Sequence, residues 1–324
     1  MHELQQEMNV PKSINSRGAF LLASVLAIAM ASSTAVARQD TKNTPRQDTL
    51  STRQDTQGTQ CRPAGPLVQI PELPEASGIA ISRTVPGRLW AHNDSGQAQV
   101  FALDVHGKVT ARVQVTGATV EDWEAMAVGP CPDGSCLFMA DIGDNSAKRQ
   151  SVTVYRVAEP SGKEAAVSGA DALEMKYPDG AHDAEALLVT PDGTILIVTK
   201  GETGPVNVYR APANVRPGAA VTLERIGASI QGKATQEQRI TDGAVSPDGQ
   251  WVALRSRGSL VFFRTTDFLK GQWNEARRVD LAALREPQGE GIALGSNNTV
   301  FLAGEGGGKG QPGTLTRFTC ELQS

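Results

Sequence analysis

The sequence predicts an all-β chain, a five-bladed β-propeller closed by an N-terminal outer strand. Three observations carry that expectation. An acidic or hydroxyl residue, then a small residue, then an apolar run recurs as Ser77-Gly-Ile-Ala-Ile, Glu124-Ala-Met-Ala-Val, Glu185-Ala-Leu-Leu-Val, Asp242-Gly-Ala-Val-Ser and Glu290-Gly-Ile-Ala-Leu. The lead residues of these copies stand 47, 61, 57 and 48 positions apart, the period of a four-stranded blade repeated around an axis. The last copy lacks an outer strand, and an unpartnered apolar segment, Pro66 to Ile70, precedes the first copy and can supply it.

The first 37 residues read as an export signal. Lys12 and Arg17 form the positive flank, Phe20 to Met30 the apolar stretch, and Ala35-Val36-Ala37 the small-x-small cleavage signal. An uncleaved anchor is the competing reading, because apolar and small residues run for nearly a membrane span; Ser32, Ser33 and Thr34 weaken it. No stable span is expected after cleavage, and the mature chain is expected in the periplasm or outside the cell. Residues 38–60 carry Arg-Gln-Asp-Thr at positions 38, 46 and 53 with almost nothing apolar to bury, so they read as a disordered linker. Residues 61–324 form the propeller domain, a size one all-β domain can reach.

Within each copy a tight turn follows the inner strand: Val85-Pro-Gly87, Cys131-Pro-Asp-Gly134, Pro191-Asp-Gly193, Pro247-Asp-Gly249 and Ser296-Asn-Asn298. Proline presets the turn dihedral, and glycine or asparagine accepts positive φ. Second strands then read Leu89-Trp-Ala, Leu137-Phe-Met-Ala, Ile195-Leu-Ile-Val, Trp251-Val-Ala-Leu and Val300-Phe-Leu-Ala. Third strands align at Val100-Phe-Ala-Leu, Val154-Tyr-Arg-Val, Val208-Tyr-Arg-Ala, Phe262-Phe-Arg-Thr and Leu315-Thr-Arg-Phe; their alternation fits strands with one buried face. Outer strands are expected at Val109 to Val115, Ala172 to Tyr177, Val221 to Ile226 and Arg277 to Leu281.

Four cysteines are present, Cys61, Cys131, Cys136 and Cys320, and export makes disulfides plausible. Of the three pairings, position favours Cys131 with Cys136 across a hairpin and Cys61 with Cys320 across the ring closure. The histidines at 2, 92, 106 and 182 do not supply zinc-ligand spacing around them. A net charge of −4 without a basic, aromatic-laced stripe argues against nucleic-acid binding.

Each inner strand would open at the axis, so Ser77, Glu124, Glu185, Asp242 and Glu290 are expected to converge there as metal ligands. Glu75, Asp122 and Asp183, two positions earlier, share their strand face by alternation. So many carboxylates need a cation or basic side chains beside them. The hard oxygen set suits Ca²⁺, or Mg²⁺ with retained waters, and Lys200 and Arg255 can offset part of the charge. The alternative is that each acid caps a strand start separately. Around this centre, Asn93, Asp94, Asp122, Asp141, Asp144, Asp183, Lys200 and Arg255 are candidate ligand-binding residues. The loop Asp141-Ile-Gly-Asp144-Asn145 reads equally as a metal loop or as turn chemistry, and it lacks the spacing of an EF-hand. Ser95 with His92 lacks a nucleophile elbow. Gly304 to Gly310 lacks the phosphate-loop order, and Trp90 and Trp123 read as core residues.

At Glu75-Ala-Ser77-Gly78-Ile-Ala, Asp122-Trp-Glu124-Ala125-Met-Ala and Asp183-Ala-Glu185-Ala186 the chain resembles exported propellers of the phytase-like (esterase-like) and SdiA-regulated families. The combination Asn93-Asp-Ser-Gly, Asp122-Trp-Glu-Ala and Asp141-Ile-Gly-Asp-Asn is similar to a widespread exported bacterial group without an assigned activity. The resemblance implies a central metal site, calcium by preference, touching Ser77, Glu124, Glu185 and Glu290. The chain departs from the phytases in its five blades and in lacking their basic phosphate cluster. Two functions are expected to compete. One is a binding module for an exported ligand or protein, monomeric and without nucleic acid. The other is a metal-assisted hydrolase of phosphoesters, lactones or other esters, with Glu124 or Glu185 as general base. A glycosidase using two channel carboxylates is a weaker third.

Overall fold

The computed structural model describes residues 61–322 apart from 133 and 309. The export signal, the linker and Lys309 lie outside the described residues. The chain forms five antiparallel sheets in sequence order, one per motif copy, and the five-bladed propeller expected from the spacing is observed. Blade one runs Ala76–Ile81, Arg88–Asn93, Gln99–Asp104 and Val109–Val115. Blade two runs Trp123–Cys131, Gly134–Asp141, Val152–Ala158 and Asp171–Lys176. Blade three runs Ala184–Val189, Ile195–Thr199, Val206–Arg210 and Glu224–Ile230. Blade four runs Ile240–Val245, Trp251–Ser256, Ser259–Arg264 and Arg277–Asp280. Blade five has Gln288–Leu294, Thr299–Glu305 and Gly313–Cys320.

The N-terminal segment completes blade five in two short pieces. Val68–Ile70 pairs with Gly313 to Leu315, and Cys61–Pro63 pairs with Phe318 to Cys320. The disulfide Cys61–Cys320 locks that register, and Cys131–Cys136 clamps the hairpin of blade two. Both bridges lie at the hairpin-turn end of the ring, since the Cys320 amide donates to the Asn298 carbonyl at 2.8 Å. The hairpin turns use the residues expected of them: Gly193 and Gly249 adopt φ of 86° and 71°, and Asn297 and Asn298 adopt 57° and 62°.

The outer strand of blade three differs from its expected place. Val221–Thr222 adds in parallel to the outer strand of blade two, and the true outer strand begins at Glu224. Ala166–Val167 extends blade one in the same way. Each long connection thus covers the sheet edge of the preceding blade before starting its own, which protects an edge from pairing with another chain.

Five apolar layers hold the ring, one between each pair of neighbouring blades. Trp90, Trp123 and Met139 pack between blades one and two; Phe138, Ile197 and Tyr209 between two and three; Leu188, Leu254 and Phe268 between three and four. Phe262 and Leu302 pack between four and five, and Leu103 and Phe301 between five and one. As many layers as blades means a closed ring. The aligned third-strand arginines reach outward: Arg156 to Asp171 at 2.5 Å, Arg210 to Glu224 at 2.9 Å, and Arg317 to the Ala64 carbonyl at 2.7 Å.

Candidate metal centre

In every inner strand the pairing with the second strand slips near the lead residue. The slips fall between Ala76 and Ile79, Trp123 and Ala125, Ala184 and Ala186, Ile240 and Asp242, and Gly289 and Ile292. A bulge leaves the extra residue out of the ladder and re-aims its side chain. Ser77, Glu124, Glu185 and Glu290 occupy bulges. In blade four the bulged residue is Thr241, so Asp242 returns to the ladder opposite Arg255.

Glu124, Asp183 and Glu185 each bring one carboxylate oxygen within 4.8 Å of the other two. They are 8%, 8% and 3% exposed. Lys200 follows the second strand of blade three, and its backbone fixes it there: its amide donates to the Asp183 carbonyl and its carbonyl accepts from Ile240, both at 3.0 Å. Its ammonium lies 2.5 Å from Glu185 Oε1 and 3.5 Å from Asp183 Oδ2.

The Asp141 to Asn145 loop buttresses this cluster. Asp141 accepts the amides of Glu121 and Asp122 at 3.0 and 3.2 Å and pairs with Arg149 at 2.7 Å. Asp144 accepts the amides of Lys148 and Arg149 at 2.7 Å, while its own amide donates to Asp183 Oδ1 at 2.8 Å. The loop can approach so closely because residue 143 is glycine. A Cβ there would meet the Asp122 carboxylate and lie 2.6 Å from Glu124 Oε1. Gly143→Ala is therefore expected to destabilise the fold by about 1–3 kcal/mol and to weaken any ion held by Glu124. A urea melt and a metal titration check this, and wild-type behaviour in both would rule it out.

Burial, with the nearby Glu185 and Asp122 charges added, pushes Glu124 well above the ordinary carboxylate range. Burial likewise pushes Glu185 up to about 8; Lys200 opposes that shift while Glu290 and Asp183 add to it. Asp122 is raised by burial and Asp183, and Glu290 by burial. Burial works against the Lys200 ammonium, but Glu185 and Asp183 outweigh it and hold its pKa above the usual value. One ammonium thus faces three packed carboxylates. Lys200 serves Glu185 Oε1 at 2.5 Å and Asp183 Oδ2 at 3.5 Å, and among the described residues no ammonium is paired with Glu124. Three buried carboxylates against one ammonium leave excess negative charge, which fits a bound hard cation with oxygen ligands.

The other expected ligands are placed differently. Ser77 Oγ donates to the Glu124 carbonyl at 2.5 Å, and Thr241 Oγ1 donates to the Glu290 carbonyl at 3.0 Å, each stitching one blade to the next. Asp242 accepts from the amides of Gly243 and Ile292 at 2.7 and 2.8 Å, the strand-capping role weighed against a shared site. Glu290 is buried and close enough to raise Glu124 and Glu185, but it stands outside the 4.8 Å group. Arg255 is turned toward blade five: its terminal nitrogens donate to the carbonyls of Gly291 and Ala303 at 2.6 Å and pair with Glu286 at 2.5 Å.

Asn93 accepts from the Glu75 amide at 3.1 Å. Asp94 lies beside Glu75 and is pushed up to about 6 by burial and that charge, while Ser95 donates to Glu75 at 2.5 Å. Burial depresses His92 to about 4, so the ring is neutral, and it packs edge-on against Trp123. Glu305 is pushed up to about 7 by burial and by Glu290. It ends the second strand of blade five, paired with Gln288. Gly143 left no mark in the sequence, because a glycine in a turn-rich loop has many ordinary uses.

These features define an all-β propeller with a buried acidic cluster between its second and third blades. No protein-family model matches the chain, and no curated protein matches it. Among solved structures it is similar to the PQQ-bound aldose sugar dehydrogenase of Streptomyces coelicolor, with TM-score 0.51 and 10% identity over 82% of this chain and 99% of that one. A glucose dehydrogenase gives 0.46 at 11% identity, covering 78% and 98%. A gluconolactonase of Xanthomonas campestris gives 0.40 at 12% identity, covering 75% and 72%. At these identities the likeness is one of fold.

Proposed function

We propose that this chain is an exported propeller of the phytase-like and SdiA-regulated kind that holds a calcium ion at its axis and serves as a binding module for an exported ligand or protein. One observation carries the reading: Glu124, Asp183 and Glu185, buried and from neighbouring blades, have oxygens within 4.8 Å of one another. One Ca²⁺ bridges such a separation with ligands at about 2.3–2.6 Å. Mg²⁺ demands tighter octahedral geometry and keeps its waters, which a cluster under 10% exposed does not favour.

The same burial favours binding over hydrolysis. Glu124 and Glu185 would have to serve as base or ligand for a substrate, yet they present little surface to one. Two disulfides fit an oxidising compartment, and no helix among the described residues is long and apolar enough to cross a membrane.

The test is calorimetric titration of chelator-stripped protein with Ca²⁺, Mg²⁺ and Mn²⁺, run beside Glu124→Gln. The expected result is one Ca²⁺ per chain, preferred over Mg²⁺, with binding weakened roughly a hundredfold in the variant as ligand charge is lost. Absence of binding by folded wild-type protein would sink the calcium reading. Ester or phosphoester turnover that vanishes in Glu124→Gln would replace the module with the hydrolase.

A further inference from the structure

Asp141 and Asp144 stand outside the group of three carboxylates, yet the loop that carries them touches that group twice, through consecutive residues. A Cβ on Gly143 would lie 2.6 Å from Glu124 Oε1, so the loop backbone packs against the carboxylate of blade two. The Asp144 amide donates to Asp183 Oδ1 at 2.8 Å, on the carboxylate that leads into blade three. The peptide joining Gly143 to Asp144 is planar and stiff. It therefore gauges the gap across which the two blades' carboxylates face each other.

The Asp144 side chain holds that gauge in place. It is buried, and one of its oxygens, Oδ2, accepts the amides of both Lys148 and Arg149 at 2.7 Å. The Asp144 carbonyl accepts from the Ala147 amide at 2.7 Å, and Ala147 closes the turn with φ of 48°. The Arg149 guanidinium ties the far end back to Asp141 and to the Gly143 carbonyl, at 2.7 and 2.9 Å. Together these bonds fix the direction of the Asp144 N–H. With Oδ1 taken by that N–H, Asp183 turns Oδ2 toward the cluster, where Lys200 lies 3.5 Å from it.

We propose that Asp144 is a positioning residue for the ion: its capped turn keeps its own amide on Asp183 Oδ1, so that Asp183 offers the ion a single oxygen, Oδ2, beside Glu124 and Glu185. The inference rests on the calcium reading above and adds to it a residue outside the ligand set.

Two measurements on the chelator-stripped full chain test this. One is calorimetric titration with Ca²⁺; the other is europium luminescence decay in H₂O and D₂O, which counts the waters left on an ion that substitutes for Ca²⁺. Asp144→Ala should weaken Ca²⁺ roughly ten- to a hundredfold, the usual cost of losing a group that orients a ligand. It should also add about one water to bound europium, as Asp183 swings away. Asp144→Asn keeps an oxygen for the two amides but not the charge, and should stay within about threefold of wild type, with an unchanged water count. Wild-type Ca²⁺ affinity in a folded Asp144→Ala overturns the proposal. So does an unchanged water count in that variant, which would leave Asp183 in place. An Asp144→Asn as weak as Asp144→Ala also overturns it, because charge and not the turn would then be responsible. Should Asp144→Ala fail to fold, Asp144→Ser, whose hydroxyl caps such a turn more weakly, is judged by the same criteria. No Ca²⁺ binding by folded wild-type protein would remove the calcium reading and this proposal together; the other outcomes leave that reading standing.

Discussion

Replacing Cys61 and Cys320 together by serine is expected to lower stability by about 5 kcal/mol, near the upper end for a disulfide. The bridge spans 259 positions, and a cross-link that closes a longer loop removes more entropy from the unfolded chain. The same change at Cys131 and Cys136 closes a loop of only 5 positions and should cost about 2 kcal/mol. The folded ring adds to the difference. Without the first bridge, blade five keeps its outer edge through two three-residue strands and the Arg317 contact with Ala64, short elements for closing a ring. Urea denaturation of the two double variants measures both losses. Equal losses would mean that the N-terminal strands close the ring without help from the bridge.

Lys200→Gln is expected to tighten calcium binding tenfold or more. The ammonium stands 2.5 Å from Glu185 Oε1 and 3.5 Å from Asp183 Oδ2, so it competes with an incoming cation for the same two carboxylates. Unit charges about 4 Å apart interact by about 4 kcal/mol at an effective dielectric near 20, and removing a like charge at that range returns part of this to the ion. Weaker binding in Lys200→Gln would show instead that the lysine orders its carboxylates for the ion. The same electrostatics sets a pH dependence in chelator. Glu185 sits at about 8, Glu305 at about 7 and Asp94 at about 6, all above the roughly 4 of unfolded carboxylates. The folded chain therefore binds more protons than the unfolded chain across that window, and stability falls as pH climbs from about 4 to about 8. Saturating calcium should remove the Glu185 part of the slope. Melting temperatures against pH, with and without calcium, check this; a flat or rising profile in chelator would contradict it.

Much of the fold was legible because blade-forming information is local and repeated. Alternation of apolar residues marks strands, and Pro-Asp-Gly marks the turns between inner and second strands at Gly193 and Gly249. The closing strand was legible from a count: one blade lacked an outer strand and one apolar segment lacked a partner. The outer strand of blade three was misplaced because Val221–Thr222 and Glu224–Ile230 are separated by one residue yet belong to different sheets. Apolar alternation cannot say which sheet a short strand joins.

By itself the sequence determined the number of blades, the end of the ring at which acids gather and the cysteine pairs; it named Glu124 and Glu185 as ligands but grouped them with Ser77, Asp242 and Glu290 rather than with Asp183. Only the tertiary structure decided which acids share a centre. A one-residue shift of the bulge in blade four puts Thr241 out of the ladder and turns Asp242 onto the amides of Gly243 and Ile292, and a repeat aligned by residue type does not register that shift. Packing decided the rest. Arg255 turns its terminal nitrogens to the carbonyls of Gly291 and Ala303 and to Glu286, while Lys200 keeps its charge at the cluster. A buried donor goes to whichever acceptor the neighbouring blade presents, and that depends on how the blades pack rather than on the local sequence.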